Sequence, residues 1–166
     1  MIKKSVQDEI NKQINLEFYS AYFYLSMSGY CDTRNLPGFA KWMKDRFNEE
    51  IEHAMRLFNF LIDRGGRIEL EAVKKPPLEF GSIPELMQQA YEHEQEVTKK
   101  IHHLYEVALK ESDFPTQTHL QWFITEQVEE EKMTGQFAEQ LKVIKDQKTA
   151  FFMLDRQLGA ESTSPK

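Results

Sequence analysis

The chain of 166 residues has one cysteine, Cys31, and no apolar run that approaches the ~20 residues needed to cross a bilayer. A single cysteine cannot form an intrachain disulfide. Proteins of the reducing cytoplasm usually lack disulfides. The first residues, Met1–Ser5, also lack the apolar segment of a signal peptide. These absences predict a cytoplasmic protein with no membrane partner.

Helix-breaking residues and positive charge are both scarce. Seven glycines and six prolines leave long stretches in which a helix can continue. The 21 basic residues are outnumbered by 27 acidic ones, which gives a formal net charge of -6. This balance argues against nucleic acid as a partner and favours the attraction of cations. Hydrophobic residues make up 40% of the chain, which suffices for the core of one domain.

Four long segments repeat apolar residues with helical periodicity, and a shorter one follows them. The long helices are predicted to run from about Ser5 to Arg34, from Leu36–Pro37 to Gly65–Gly66, from Ser82 to about Glu111, and from Asp113–Phe114–Pro115 to about Lys145. Ser5 is a candidate N-terminal cap, and Ser82 with Glu85 forms a capping box. The fifth helix is predicted at about Thr149–Leu158, ending at Gly159. We expect residues 1–158 to form one domain and residues 159–166 a flexible tail.

The connections between the helices predict how they are arranged in space. Tight corners near Asn35 and Asp113 make the first and second helices antiparallel, and likewise the third and fourth. The middle connection, residues 67–81, contains Pro76 and Pro77 and can extend over ~50 Å. A helix of about 27 residues is only ~40 Å long. We therefore predict an all-α four-helix bundle with one long crossover, which makes the second and third helices parallel.

The apolar stripe of each long helix is interrupted near its middle by a polar residue. On the first helix the predicted core stripe is Val6, Ile10, Ile14, Glu17, Ala21, Tyr24 and Leu25. On all four helices the interrupting residues are Glu17, Glu50, His53, Glu94, Gln127 and Glu130. Because the helices pair in antiparallel fashion, these residues fall at nearly one height, within ~1 helical turn. We call this set the polar layer.

Two interpretations of the polar layer differ in what neutralises it. A single buried carboxylate is usually paired with Lys or Arg. Here four acids and an imidazole share one level, and only Arg46 lies near them as a counter-charge. Desolvation would cost several kcal/mol per unpaired ion, so bound metal ions are the better interpretation. Oxygen ligands with one imidazole favour iron or manganese over zinc, and they leave coordination positions open for dioxygen.

The polar layer also repeats within the chain. A shift of 77 residues carries Glu17 onto Glu94, Glu50 onto Gln127, and His53 onto Glu130. The bundle is therefore predicted to consist of two related helical hairpins with a pseudo-twofold axis through the polar layer. The second hairpin lacks one bridging carboxylate and the imidazole. Fewer anionic bridges should hold oxidised metal less tightly, which suits a site that releases its product.

These residues and spacings, with the long crossover and the short fifth helix, resemble the prokaryotic haem-free ferritins over essentially the whole chain. The resemblance implies a first iron held by Glu17, Glu50 and His53. It implies a second iron held by Glu50, Glu94 and Glu130, with Gln127 in contact with the ligands. A third iron site would comprise Glu49, Glu126, Glu129 and Glu130. Tyr24 and Trp122 match aromatic residues that family members keep beside the centre.

The same resemblance implies a homo-oligomeric shell of 24 subunits without haem. Such a shell oxidises Fe(II) with dioxygen or hydrogen peroxide and stores the product as ferric mineral. A bacterioferritin would have an axial Met where this chain has Ile51, and E-x-x-H on its fourth helix. A rubrerythrin would need a cysteine-rich module. A non-enzymatic helical bundle would have no reason to place acids in its core.

For residues outside the polar layer we predict packing, surface or interface positions. Tyr24 is either core packing or a redox participant. His93, His102, His103 and His119 are expected at the surface or in an interface. Aromatic residues surround the first helix beyond what one core needs, and this surplus predicts a subunit interface; they are Phe18, Tyr19, Tyr22 and Phe23.

Overall fold

The computed structural model describes residues 1–144 and 146–160. Its five helices are α1 (Lys4–Asp32), α2 (Pro37–Asp63), α3 (Ile83–Lys110), α4 (Phe114–Ile144) and α5 (Lys148–Ala160). The described residues contain no strand. None of these five helices is both long enough and apolar enough to span a bilayer. The predicted all-α architecture, with four long helices and a short fifth one, is confirmed.

Three of the long helices end in a left-handed residue that turns the chain sharply. Asn35 after α1, Gly65 after α2 and Ser112 after α3 have φ values of 57°, 69° and 55°. After each helix, backbone N–H groups reach back to the last carbonyls, as in Gly66 N–H to the Leu61 carbonyl at 2.9 Å. At Asn35 and Ser112 these turns produce the two predicted antiparallel corners.

The ends of two helices differ from the sequence prediction. Ser5 does not cap α1: the cap position is Lys3, without a side-chain hydrogen bond, and the Ser5 hydroxyl donates to Glu111 Oε1 at 2.7 Å. The helix starts two residues earlier than predicted, because the extended residue that precedes it is Lys3. Helix α5 includes Gly159, which therefore does not end it. Lys145 and residues 161–166 of the predicted tail lie outside the described residues.

The capping box at the start of α3 is present as predicted. The Ser82 hydroxyl accepts from the Glu85 backbone N–H at 3.4 Å, and the Glu85 carboxylate accepts from the Ser82 N–H at 2.6 Å. These two bonds satisfy donors that a helix N-terminus otherwise leaves unpaired. They fix the point at which the crossover stops and the second hairpin begins.

The crossover between α2 and α3 lies along the whole length of α1. Asn11 donates to the carbonyl of Arg67 at 3.0 Å, near the beginning of α1. Further along, Ser26 donates to the Pro77 carbonyl at 2.6 Å. Since the chain passes from one end of the bundle to the other before α3 begins, α2 and α3 are parallel. The predicted long crossover is confirmed.

Two apolar clusters fill the bundle on either side of the polar layer. One is built around Ile10, Ile14, Leu57, Leu61, Ile101, Leu104 and Phe123. The other is built around Met27, Phe39, Met43, Phe80, Leu86, Met87 and Leu141. The polar residues thus lie where water is excluded from above and below. Leu25, predicted in the core, is 42% exposed because Tyr24 occupies the inward position of that turn.

Candidate metal centre

The first hairpin brings three potential ligands to one point inside the bundle. Glu17 on α1 and Glu50 and His53 on α2 each offer an atom within 4.8 Å of the other two. The i, i+3 spacing places Glu50 and His53 on the same face of α2, and Nδ1 of His53 is 3.3 Å from Glu50 Oε2. All three side chains are buried. Two carboxylates and an imidazole in this arrangement are a suitable donor set for a divalent ion.

The Glu17 carboxylate is held on one side and lacks a partner on the other. The Gln13 amide donates to its Oε1 at 2.7 Å, whereas the buried Oε2 has no hydrogen-bond partner. Burial, with the nearby charge of Glu50, raises the pKa of Glu17 to about 8. Burial and the charges of Glu94 and Glu130 likewise raise the pKa of Glu50 well above its ordinary value. A cation would supply the missing partner and favour the ionised forms.

The second hairpin supplies a carboxylate whose oxygens both have protein donors. Tyr24 donates its hydroxyl to Glu94 Oε1. Gln127 Nε2 lies 3.1 Å from Glu94 Oε2 and 3.3 Å from the Thr98 hydroxyl. Burial and the charge of Glu130 raise the pKa of Glu94 to about 7, while the two donors act in the opposite direction. Gln127 and Tyr24 therefore orient Glu94 within the polar layer.

Glu130 completes the polar layer and is paired with an arginine from α2. Nη1 of Arg46 lies 3.2 and 3.1 Å from the two oxygens of Glu130. Nη2 of the same guanidinium donates to Glu49 at 2.6 Å. Arg46 was the only counter-charge expected near the polar layer, and it contacts the second hairpin's carboxylate. Glu17 and Glu50 are not among its hydrogen-bond partners.

The remaining predicted site residues lie around this centre without joining the compact group of three ligands. Glu49 is half-buried against Arg46, Glu126 is buried, and Glu129 is exposed. The ring of Trp122 meets the His53 imidazole almost at a right angle, with 5.4 Å between the ring centroids. Trp122 therefore packs against a candidate ligand, beside the centre.

His93 has a place that the sequence interpretation missed. It was expected at the surface or an interface, but its Nε2 is 2.7 Å from the Ser20 hydroxyl, and its ring lies 4.7 Å from that of Phe23. Burial lowers its pKa to about 4, so it is neutral. Part of the aromatic surplus of α1 is thus packed inside the subunit. The signal was available: His93 directly precedes Glu94 on α3, beside the aromatic face of α1.

The other histidines are divided between surface and packing positions. His102 and His103 are exposed on α3, as expected. His119 is half-buried and stacks on Phe60, with 4.0 Å between the ring centroids. On α1, Tyr22 is 50% exposed and remains available for contact with another subunit.

Comparisons with known proteins agree with this fold. Residues 7–144 match the ferritin family, described as a ferritin-like domain. The chain is 35% identical over 162 residues to the bacterial non-heme ferritin of Staphylococcus aureus (strain USA300), covering 98% of each chain. It is 34% identical over 163 residues to the protein of the same name from Escherichia coli O6:H1, covering 98% of this chain and 99% of the relative.

Solved structures give the same result with higher identity. The open pore ferritin of the hyperthermophilic archaeon Archaeoglobus fulgidus is 44% identical, with a TM-score of 0.96 over 98% of this chain and 100% of that one. A form of that ferritin engineered to be closed is 43% identical, with a TM-score of 0.97 over 99% of this chain and all of that one. The chain therefore belongs to the ferritin family.

Proposed function

We propose that this chain is an iron-storage subunit with ferroxidase activity. The observation that carries the proposal is the convergence of Glu17, Glu50 and His53 in a buried layer, with Glu94 and Glu130 opposite them. Raised pKa values at Glu17 and Glu94 mean that the metal-free centre retains protons near neutral pH. Binding of Fe(II) would release those protons, because a metal ligand must be ionised.

The side chains would form two positions, each of which binds one iron ion as substrate. Glu17, Glu50 and His53 would bind the first, and Glu50, Glu94 and Glu130 the second. Gln127 and Tyr24 would hold Glu94 in place; a redox role for Tyr24 remains a prediction. Each Fe(II) loses one electron, so a pair supplies two. With two protons, these electrons reduce dioxygen to hydrogen peroxide, or hydrogen peroxide to two waters.

Storage requires a cavity, and we propose that the chain forms a shell of 24 copies in the cytoplasm, without haem. Large apolar side chains on the outside of the subunit support extensive contacts between copies. They are 42% to 74% exposed and include Tyr22, Leu25, Val143, Phe152 and Met153. The α5 end of the bundle and the surface of α1 would thus be covered by neighbouring subunits.

A third iron site at Glu49, Glu126, Glu129 and Glu130 remains a prediction from the resemblance. Two of its four carboxylates, Glu49 and Glu130, are bonded to Arg46 in this structure. Glu126 is buried one turn before Glu130 on α4, and Glu129 is exposed. Occupancy of this position is therefore tied to where Arg46 lies.

Aerobic addition of Fe(II) tests the proposal directly. Stopped-flow absorbance should show rapid ferric formation that saturates near two irons per chain, and native mass spectrometry should give the mass of 24 chains. Glu94→Gln should slow the rapid phase, because the ligand becomes neutral. Glu92→Gln, which changes an exposed acid on the same helix, is the matched control. Oxidation of the wild type at the rate of buffer alone would exclude the ferroxidase.

A further inference from the structure

The guanidinium of Arg46 lies between two acids of the centre. It contacts both oxygens of Glu130 at 3.1 and 3.2 Å and donates to Glu49 at 2.6 Å. Arg46 is 9% exposed and Glu130 is 2% exposed. A buried, charge-assisted hydrogen bond is stronger than an ion pair at the surface, where water and salt screen the charges. One protein cation thus neutralises two acids that come from different hairpins.

The same two acids belong to the third iron position that the resemblance implies. A carboxylate has two oxygens with about four lone-pair sites, so Glu130 can serve one metal ion and one further cation. Both of its oxygens already face the guanidinium, so a third iron added to the second one would compete with Arg46 for the remaining lone-pair sites. Both oxygens of Glu49 likewise lie 2.6 Å from nitrogens of Arg46. A third ion must therefore displace the guanidinium from these carboxylates.

Two features of Arg46 allow such a displacement. Its Nε is buried without a hydrogen-bond partner, so the side chain is not fully satisfied where it lies. The ring of Trp42, one turn earlier on α2, is centred 5.3 Å from the guanidinium carbon. An aromatic face within ~6 Å stabilises a cation. Arg46 thus has an adjacent surface on which its charge remains compensated after it leaves Glu130.

We propose that Arg46 is a resident counter-cation that competes with a third metal ion for Glu49 and Glu130, and so sets how many ions one chain holds. This inference rests on the proposed function, since the competing ion is iron. At the first position Arg46 is not a hydrogen-bond partner of Glu17, Glu50 or His53, and it acts on Glu50 only through its charge, which lowers the pKa of that carboxyl. The second position shares Glu130 with the guanidinium. The third position fills only as Arg46 leaves.

Zinc titration of the assembled, metal-free protein tests this competition without any redox activity. Calorimetry and metal analysis after dialysis should find two tightly bound ions per wild-type chain, with a third ion at least ~10-fold weaker. In Arg46→Gln, the third ion should bind at least ~10-fold more tightly than in the wild type. Lys44→Gln removes one exposed positive charge from the same helix and should titrate as the wild type does.

Thermal unfolding supplies a second readout. Metal-free Arg46→Gln should melt about 5 °C below the wild type, since two acids lose their counter-charge. Saturating zinc should raise the melting temperature of Arg46→Gln by more than it raises the melting temperature of the wild type. A purely structural salt bridge would give the first effect without the additional bound ion.

The outcomes separate this inference from the proposed function. Equal affinity for a third ion in the wild type and Arg46→Gln would overturn the role of Arg46 while the first two positions still fill. A zinc-soaked wild-type crystal with a third ion beside an unmoved guanidinium would do the same, even if the variant fails to assemble. No zinc at Glu17, Glu50 and His53 would overturn both proposals.

Discussion

The α1–α2 hairpin and the α3–α4 hairpin occupy equivalent places around the polar layer, yet their acids are held differently. In the first hairpin, one Glu17 oxygen has no partner. In the second, both oxygens of Glu94 and both of Glu130 have donors from the protein. In the first hairpin a bound metal ion therefore gives the Glu17 oxygen the partner that it lacks. In the second hairpin the metal ion must replace a hydrogen-bond donor that the protein already supplies. We expect metal to fill the first position before the second.

The largest effect should come from removing the imidazole of the first half. His53→Ala should abolish tight zinc binding at the first position and slow rapid oxidation by ~100-fold or more, since weaker changes around metal ligands already cost ~10–100-fold. Stopped-flow absorbance and zinc calorimetry measure the two effects. His102→Ala, at an exposed position on α3, is the control. Tight zinc binding at the first position in His53→Ala would contradict the difference inferred between the two hairpins.

The next effect concerns pH and the metal-free protein. Burial raises the pKa of Glu17 to about 8 and that of Glu94 to about 7, against 4.5 for an ordinary Glu. Between these values the native state holds more protons than the unfolded state. The stability that these protonated acids contribute is complete at low pH and is lost as pH rises through 7 and 8. The denaturant midpoint of the metal-free protein should therefore fall from pH 5 to pH 8.5.

Single variants show how much each hairpin contributes to the pH dependence of the denaturant midpoint. Glu17→Gln should flatten the pH dependence more than Glu94→Gln, because Glu17 has the higher pKa and fewer donors. Saturating zinc should reverse the slope, since metal requires the ionised acids. A metal-free midpoint that rises between pH 5 and 8.5 would mean that the acids are already ionised and compensated.

A smaller effect is expected when the two halves are made more alike. Gln127→Glu restores the bridging acid that the repeat lacks, but it removes the amide that donates to Glu94. Two facing carboxylates should destabilise the metal-free protein by about 1–3 kcal/mol at pH 8, and by less at pH 5. The added bridge should also hold the oxidised pair and slow turnover after the first two irons. Repeated Fe(II) additions check this; turnover equal to the wild type would contradict it.

The smallest effect should come from Tyr24→Phe. It removes the hydroxyl donor from Glu94 while the ring continues to fill the core. The loss of one buried hydrogen bond costs about 1 kcal/mol, so zinc affinity at the second position should change by less than ~10-fold. A much larger loss of oxidation rate with unchanged zinc affinity would indicate a redox role for the phenol.

The sequence predicted the features that depend on helical geometry. The i, i+3 pairs, the two corners and the long connection determine where each polar residue falls along the bundle, so the polar layer could be placed before the structure was known. What periodicity cannot determine is which side chains meet across helices. Arg46 with Glu130, Tyr24 with Glu94 and His93 with Ser20 each depend on rotamers and helix rotation.

Two predictions about α1 were wrong, for different physical reasons. Leu25 follows Tyr24 on α1, and only one of two adjacent residues can point into the core at that turn. Ser5 fits the composition of a cap, but an extended Lys3 starts the helix earlier and leaves the Ser5 hydroxyl to bond with Glu111. A contact with a distant residue thus decides the role of Ser5, whereas the rotation of α1 about its axis decides the exposure of Leu25.

The crossover along α1 also determines the order in which the centre can form during folding. The first position draws all its ligands from one hairpin whose two helices are joined by a tight turn. The second needs Glu50 from that hairpin and Glu94 and Glu130 from the other, and the two hairpins are joined by residues 64–82, which lie against α1. Non-local contacts of this kind form slowly compared with local ones. In a refolding experiment, we expect occupancy of the second position to report the late docking of the two hairpins.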